Sequence, residues 1–194
     1  MNEHITKLLL TYPKKEWKQK QLVLATGYSK GFISQEIKKL LYDNIVSKLD
    51  SNIVLIDFPK LLNKWVGIRK LPKPIYFKTT SIERLEDKLK KSEIKYALTL
   101  FRAAWHRIKF LKIERIELYV IKKDLEKIRR LLGKENIAGN IEVYLDKDYI
   151  FVGNKKLDGL CLVSPVQNYV DLMCVGGSGT RVALQLAKKY KLGV

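Results

Sequence analysis

The run Gly176-Gly177-Ser178-Gly179-Thr180-Arg181 comes nearest to phosphate chemistry, because glycine amides ahead of a helix can cradle an anion. It has no P-loop lysine. A nucleotidyltransferase also needs metal-binding carboxylates after its Gly-Ser pair, and the sequence after Arg181 contains no Asp or Glu. The glycines are therefore expected to end one helix and begin the next at a sharp angle. Glu142, Asp146 and Asp148 can be set into a metal-dependent nuclease pattern, and solvated charges at a hairpin around Lys147 account for them as well. Cys161 and Cys174 form no paired-cysteine motif, and His4 and His106 stand far apart, so buried thiols are expected rather than a disulfide or zinc site. No catalytic residue, metal or cofactor is assigned, and the chain is not expected to be an enzyme.

A second group of residues suits binding rather than catalysis. Lys18, Gln19 and Lys20 open a short helix carrying Leu22, Val23 and Ala25, and Gly27 supplies the positive φ that leaves it. Ser29 is placed to cap a second helix in which Ile33, Ile37, Leu40 and Leu41 recur at the spacing of one buried stripe. Its first turn holds Gly31, and its opposite face carries Lys30, Ser34, Gln35 and Lys38. Two short strands, Asn44 to Val46 and Ile53 to Ile56, then flank the polar turn from Lys48 to Asn52. Helix, turn, helix, hairpin is the order of a winged helix-turn-helix. In that arrangement the second helix enters a major groove with Lys30, Gln35 and Lys38 at base edges or phosphates, while Lys18, Gln19 and Lys20 meet the backbone. The hairpin, with Lys48 and Asn52, reaches flanking phosphates. The plain alternative is a small helical unit whose polar face is simply wet.

These residues need elements to hold them. An apolar helix from Ile5 to Thr11, ended near Tyr12-Pro13, would pack behind the pair with Trp17 sealing the junction. Phe58-Pro59 opens a fourth helix with Leu61, Leu62, Trp65 and Val66 on one face. Leu71-Pro72-Lys73-Pro74 reads as an extended linker, which divides the chain into residues 1–72, the winged helix-turn-helix, and 75–194, a mixed α/β domain able to fold alone. In that second part the pattern predicts a strand at Ile75 to Phe77, a helix from Ser81 led by a Thr80–Glu83 capping box, and a buried helix over Tyr96 to Ile108 with Arg102 and Arg107 on its outer face. Strands follow at Ile116 to Val120, Ile141 to Leu145, Tyr149 to Val152 and Leu160 to Val163, with a helix from Asp124 to Leu132 closed by Gly133. Ser164-Pro165 starts a helix to about Cys174, and Thr180 to Tyr190 forms the last. The fold class is α+β.

The formal charge of +18 is far more than solubility needs, and such a field gathers polyanions, so double-stranded DNA is the expected partner. The cation excess continues through residue 135. Lys109, Lys112, Lys122, Lys123, Arg129 and Arg130 are expected on the surface of the second domain, with Phe110, Leu111, Val120, Ile128 and Leu131 turned inward. No run of apolar residues is long enough to span a bilayer and the start is unlike a secretory signal, so a cytoplasmic protein without a membrane partner is expected.

The run Leu162-Val163-Ser164-Pro165-Val166-Gln167-Asn168-Tyr169-Val170-Asp171-Leu172, with Gly176, Gly177 and Gly179 after it, resembles the C-terminal signature of the AbiEi family of type IV toxin-antitoxin antitoxins. Tyr96-Ala97-Leu98-Thr99 is also similar to that family. The resemblance implies a winged helix joined to an α/β antitoxin domain, binding to an inverted-repeat operator, repression of its own operon, and a functional link to a nucleotidyltransferase-like toxin. It leaves the oligomeric state open, a dimer included, and assigns Gln167 and Asp171 no role beyond orienting their helix. The competing expectation is a nucleic-acid-processing enzyme, a nuclease or nucleotidyltransferase-like protein, delivered by a basic winged-helix module.

Overall fold

In the first helix, α1 (Glu3–Thr11), the Asn2 side chain accepts the amide of Ile5 and frees the apolar side chains to turn inward, with Ile5, Leu8, Leu9 and Leu10 all buried. The computed structural model describes residues 1–193. Two further helices follow, α2 (Gln19–Thr26) and α3 (Lys30–Tyr42). Gly27 leaves α2 at φ +72°, where a Cβ would be strained, and Ser29 Oγ accepts the Phe32 amide at 3.2 Å to begin α3. Ile33, Ile37 and Leu40 of α3 are buried and Leu41 half-buried, so the expected stripe is the packed one.

The hairpin is tighter than the sequence suggested. Strands β1 (Val46–Leu49) and β2 (Asn52–Leu55) pair with Leu49 opposite Asn52, leaving only Asp50 and Ser51 as the turn. Both have positive φ, 45° and 69°, the combination that matches the twist of two paired strands. Lys48 and Asn52 therefore lie in the strands, and Asn44 precedes them. Trp17 exchanges two backbone hydrogen bonds with Ile53, at 2.9 and 2.8 Å, adding a one-residue third strand and burying its ring as expected. Helix α4 (Phe58–Ile68), capped by Asp57, closes the unit with Leu61, Leu62 and Trp65 fully buried.

The remainder is a six-stranded sheet with helices on both faces, and the whole is α+β. Its strands are β3 (Ile75–Phe77), β4 (Tyr96–Leu98), β5 (Ile116–Val120), β6 (Ile141–Leu145), β7 (Lys155–Leu157) and β8 (Leu160–Leu162), in the order β3-β6-β5-β4-β8-β7. The pairs β5–β6 and β4–β8 are parallel and the other three antiparallel. Helices α5 (Ile82–Lys91) and α7 (Leu125–Leu132) cover the face formed by Ile116, Leu118, Val120, Ile141 and Val143. The other face, with Ala97, Tyr119 and Tyr144, meets α6 (Leu100–Ile108), α8 (Pro165–Val175) and α9 (Ser178–Tyr190). Leu9 and Trp65 of the first unit join that same core, which runs unbroken past the Pro72–Pro74 segment, and Leu71 packs on it.

Four elements differ from the sequence reading. Tyr96 to Ile108 is not one helix: Tyr96–Leu98 forms β4 between β5 and β8, and only Leu100–Ile108 is helical. A buried central strand and a buried helix look alike as an apolar run. The break falls at Thr99 and Leu100, whose φ of 46° is unusual for leucine and whose carbonyl accepts Asn168 Nδ2 at 2.9 Å. Tyr149 to Val152 is not a strand but part of a 3₁₀ turn, Asp148–Phe151, and β7, missed by its lysines, is the exposed edge. Helix α5 is capped by Ser81, which accepts the Arg84 amide at 3.2 Å, while Thr79 and not Thr80 braces that turn. Phe110 is exposed rather than turned inward.

Candidate nucleic-acid interface and the ionic cluster behind it

The residues singled out for DNA lie on one unit. Lys18 is the N-cap of α2, its amide accepted by Gln21 Oε1 at 3.0 Å, and Lys20 is exposed in the first turn. Gln19 Nε2 donates to the Lys30 carbonyl at 2.9 Å, tying the start of α2 to the start of α3. That leaves Gln19 a brace, half-buried, rather than a free amide. On α3, Lys30, Gly31, Gln35 and Lys38 are exposed and Ser34 is half-buried, while the Ser29 hydroxyl is occupied as the cap. Lys48 projects from the hairpin, and Asn52 donates through Nδ2 to Glu16 Oε2 at 2.9 Å, so its amide is engaged within the chain. Among the described residues Lys18, Lys20, Lys30, Lys38 and Lys48 make no ion pair, whereas Lys39, on the flank of α3, reaches the buried Glu36 at 2.6 Å. Burial alone would raise the Glu36 carboxyl; Lys39 and the Asn2 amide instead hold it below the usual range.

Behind this surface is a set of buried charges that sequence reasoning did not find. Arg69, at the end of α4, is 7% exposed and spreads its guanidinium over three carboxylates: Glu3 at 2.9 Å, Asp146 at 2.7 Å and Asp171 at 3.4 Å. Its Nη2 also donates to the Tyr119 hydroxyl at 3.0 Å. Asp171 accepts Thr99 Oγ1 at 2.7 Å and Gln167 Nε2 at 2.8 Å. Lys7, wholly buried in α1, donates to the Ile150 carbonyl, and burial drives its ammonium down to about 7 although Asp171, Asp146 and Glu3 oppose that. Burial likewise pushes the Asp171 carboxyl up, with Arg69, Thr99 and Gln167 pulling the other way. The cluster thus joins Glu3, Lys7 and Arg69 of the first unit to the sheet and α8.

This gives the Ser164–Leu172 run a role. Ser164 caps α8 through the Gln167 amide, Gln167 and Asp171 hold the ionic cluster, and Asn168 grips the Leu100 carbonyl and the Arg107 guanidinium. The signal was present as three polar residues, Gln167, Asn168 and Asp171, in a helix too apolar around them to leave them wet. The outer-face expectation for Arg102 and Arg107 fails: both are buried, Arg102 against Glu86 at 2.6 Å and Arg107 against Val163 and Asn168.

The carboxylates of the nuclease pattern do not converge. Glu142 in β6 pairs with Arg115 at 2.7 Å, Asp146 with Arg69, and Asp148 with exposed Lys95 at 2.7 Å. Asp146 is thus an ion-pair partner of a buried arginine, not a solvated hairpin charge. Among the described residues no group of three His, Cys, Asp or Glu side chains is placed to hold a metal. One carboxyl stands out: Glu117, opposite Glu142 in the β5–β6 register, is fully buried and pushed up to about 8 by that burial. In the glycine cluster Gly177 begins α9, and a Cβ on Gly179 would strike the Leu172 carbonyl and stand 2.8 Å from Val175 Cβ, so α8 and α9 meet there backbone to backbone. Both cysteines are free and half-buried, and His106 Nε2 lies 2.7 Å from Glu86. Of the second-domain cations, Lys112 and Arg129 are held by Glu114, Glu126 and Glu135. No described helix is long and apolar enough to cross a membrane.

Neither a protein-family model, nor a curated protein, nor a solved structure matches this chain.

Proposed function

We propose that the chain is a sequence-specific DNA-binding regulator, its first unit a winged helix-turn-helix, and that it acts as an AbiEi-type antitoxin repressing its own operon. The observation that carries this reading is the outer face of α3, where Lys30, Gln35 and Lys38 stand exposed beside a hairpin turned by two residues. A helix held by its opposite face and flanked by a short β-ribbon presents side chains to a groove and cations to the phosphates beside it. The charge of +18 supports a polyanion as partner. The second unit, gripping the first through Arg69 and Lys7, would then fix the orientation of the DNA-reading face rather than trail from a loose tether.

The test is fluorescence anisotropy of the full chain on the duplex upstream of its own coding sequence against a random duplex. A preference of about a thousandfold or more at physiological salt is expected of a regulator. Equal binding to both duplexes would make it an architectural protein. Conversion of either nucleic acid on incubation with magnesium and nucleotide would favour the processing-enzyme alternative.

A further inference from the structure

Between the first unit and the second lies a cleft of about 860 Å³, a size that takes a small molecule. Its walls are largely apolar, with Leu10 from α1, Phe58 from α4, Leu162 from β8 and Val166 from α8. Its charged side chains are all cations: Lys14, Arg107, Lys155, Lys156 and Lys191, with no Asp or Glu among the lining residues described. The four lysines are exposed and solvated. Arg107 is different.

Arg107 is 7% exposed, and its guanidinium has only neutral acceptors among the described residues, the Val163 carbonyl and Asn168 Oδ1 at 3.2 Å, with the Tyr190 phenol beside it. The other two buried arginines each have carboxylates, Arg69 three and Arg102 one. A buried cation without an anion is costly, and the guanidinium fork has five N–H donors, more than these neighbours use. Two further polar atoms in the same wall, Thr11 Oγ1 and Asn154 Oδ1, are buried without a hydrogen-bond partner. A native structure satisfies nearly all such groups, so two orphaned atoms beside a buried guanidinium that lacks an anion, all in the wall of one cavity, point to something that fills it.

We propose that this cleft binds a small organic acid, its carboxylate paired with Arg107 and its apolar body laid against Leu10, Phe58, Leu162 and Val166. A single negative charge matches the single buried cation. A phosphate dianion would need more desolvated donors than the wall supplies. The inference stands apart from the DNA reading, since the ligand and its cation lie within the junction of the two units.

The experiment is titration calorimetry of the full chain with octanoate, 2-naphthoate, octan-1-ol and inorganic phosphate. At least one of the two carboxylates is expected to bind saturably at one site per chain, with octan-1-ol weaker by about tenfold or more for want of the charge-assisted pair. Arg107→Gln is expected to weaken the carboxylate by about tenfold. Because that residue also braces Asn168, the double variant Lys14→Glu, Lys156→Glu supplies a second reading at exposed positions, with about a fivefold loss expected from reversing two nearby charges and an unchanged melting temperature. Failure of both carboxylates to bind, octan-1-ol binding as tightly as octanoate, phosphate matching them, or the double variant binding undiminished would each overturn the proposal.

Discussion

Replacing Arg69 with alanine removes one guanidinium and leaves Glu3, Asp146 and Asp171 facing each other without it. Asp171 suffers most, because it is fully buried and keeps only Thr99 and Gln167 as donors. Breaking a buried pair from one side costs about 3–5 kcal/mol, against a net stability of about 5–15 kcal/mol for a protein of this kind. Two adjustments place Arg69→Ala near the lower end of that range. Asp171, whose carboxyl burial already raises, can take up a proton, and Lys7 is relieved of the repulsion Arg69 imposes on it. The sign of the pH dependence follows. With its folded-state carboxyl raised further, Asp171 stays protonated at low pH and must ionise in a dry site, or remain protonated at growing cost, as pH rises. The deficit of the variant should therefore widen from pH 5 to pH 8. Urea unfolding followed by far-ultraviolet circular dichroism and by tryptophan fluorescence is the assay, since Trp17 and Trp65 lie in the first unit and Trp105 in the second. Both probes should move together, because the cluster joins the units. A loss under about 1 kcal/mol, the scale of an exposed ion pair, would refute the argument that these charges are desolvated and coupled.

Glu117→Gln should flatten the stability profile between pH 4.5 and 8. The wild-type carboxyl, pushed up to about 8, holds a proton in the folded state that the unfolded chain releases, so the wild type loses up to about 1.4 kcal/mol per pH unit across that window and the amide does not. Gly179→Ala should destabilise by about 1–3 kcal/mol, since the new methyl meets the Leu172 backbone carbonyl rather than a side chain able to swing away; thermal melts read it directly. Gln35→Ala should cost about 1–3 kcal/mol on the specific duplex alone, while Lys30→Ala should weaken specific and random duplexes alike and lower the salt slope by about one. A chain beginning at Ile75 should melt broadly or aggregate, because it loses Arg69 and Lys7 from beside Asp171 and uncovers the core shared with Leu9 and Trp65; a sharp transition near the full-length midpoint would count against that shared core.

The first unit was legible almost residue by residue, because its signals are local. Gly27, Ser29 and the Ile33 stripe act within a few residues of themselves, and the structure uses each as the sequence suggested. The second unit was legible only where a segment advertised its own period. Tyr96-Ala97-Leu98 becomes a strand because β5 and β8 flank it, and no property of three apolar residues could announce that. The buried ions were hidden for the same reason. Arg102, Arg107 and Asp171 look like surface residues until Glu86, Asn168 and Arg69, from 16 to 102 residues away, are brought alongside. Even the Pro72–Pro74 segment, which reads as a boundary from its prolines, joins units whose apolar cores are continuous.

The distance along the chain between Arg69 and Asp171, 102 residues, sets an order of events during synthesis. The four helices and hairpin can assemble from local contacts while most of the sheet is still unmade, but of their two inward-facing cations Lys7 then lacks its acceptor and Arg69 has only Glu3 of α1. The face that carries them stays open until the chain has passed Asp146 and Ile150, and the cluster is complete only when α8 arrives with Asp171. At translation rates of about 5–20 residues per second that interval lasts several seconds or more. For that time the basic unit has the exposed face of α3 formed and its back unsealed, so on the proposed reading a nascent chain meets nucleic acid before its second half has set its orientation.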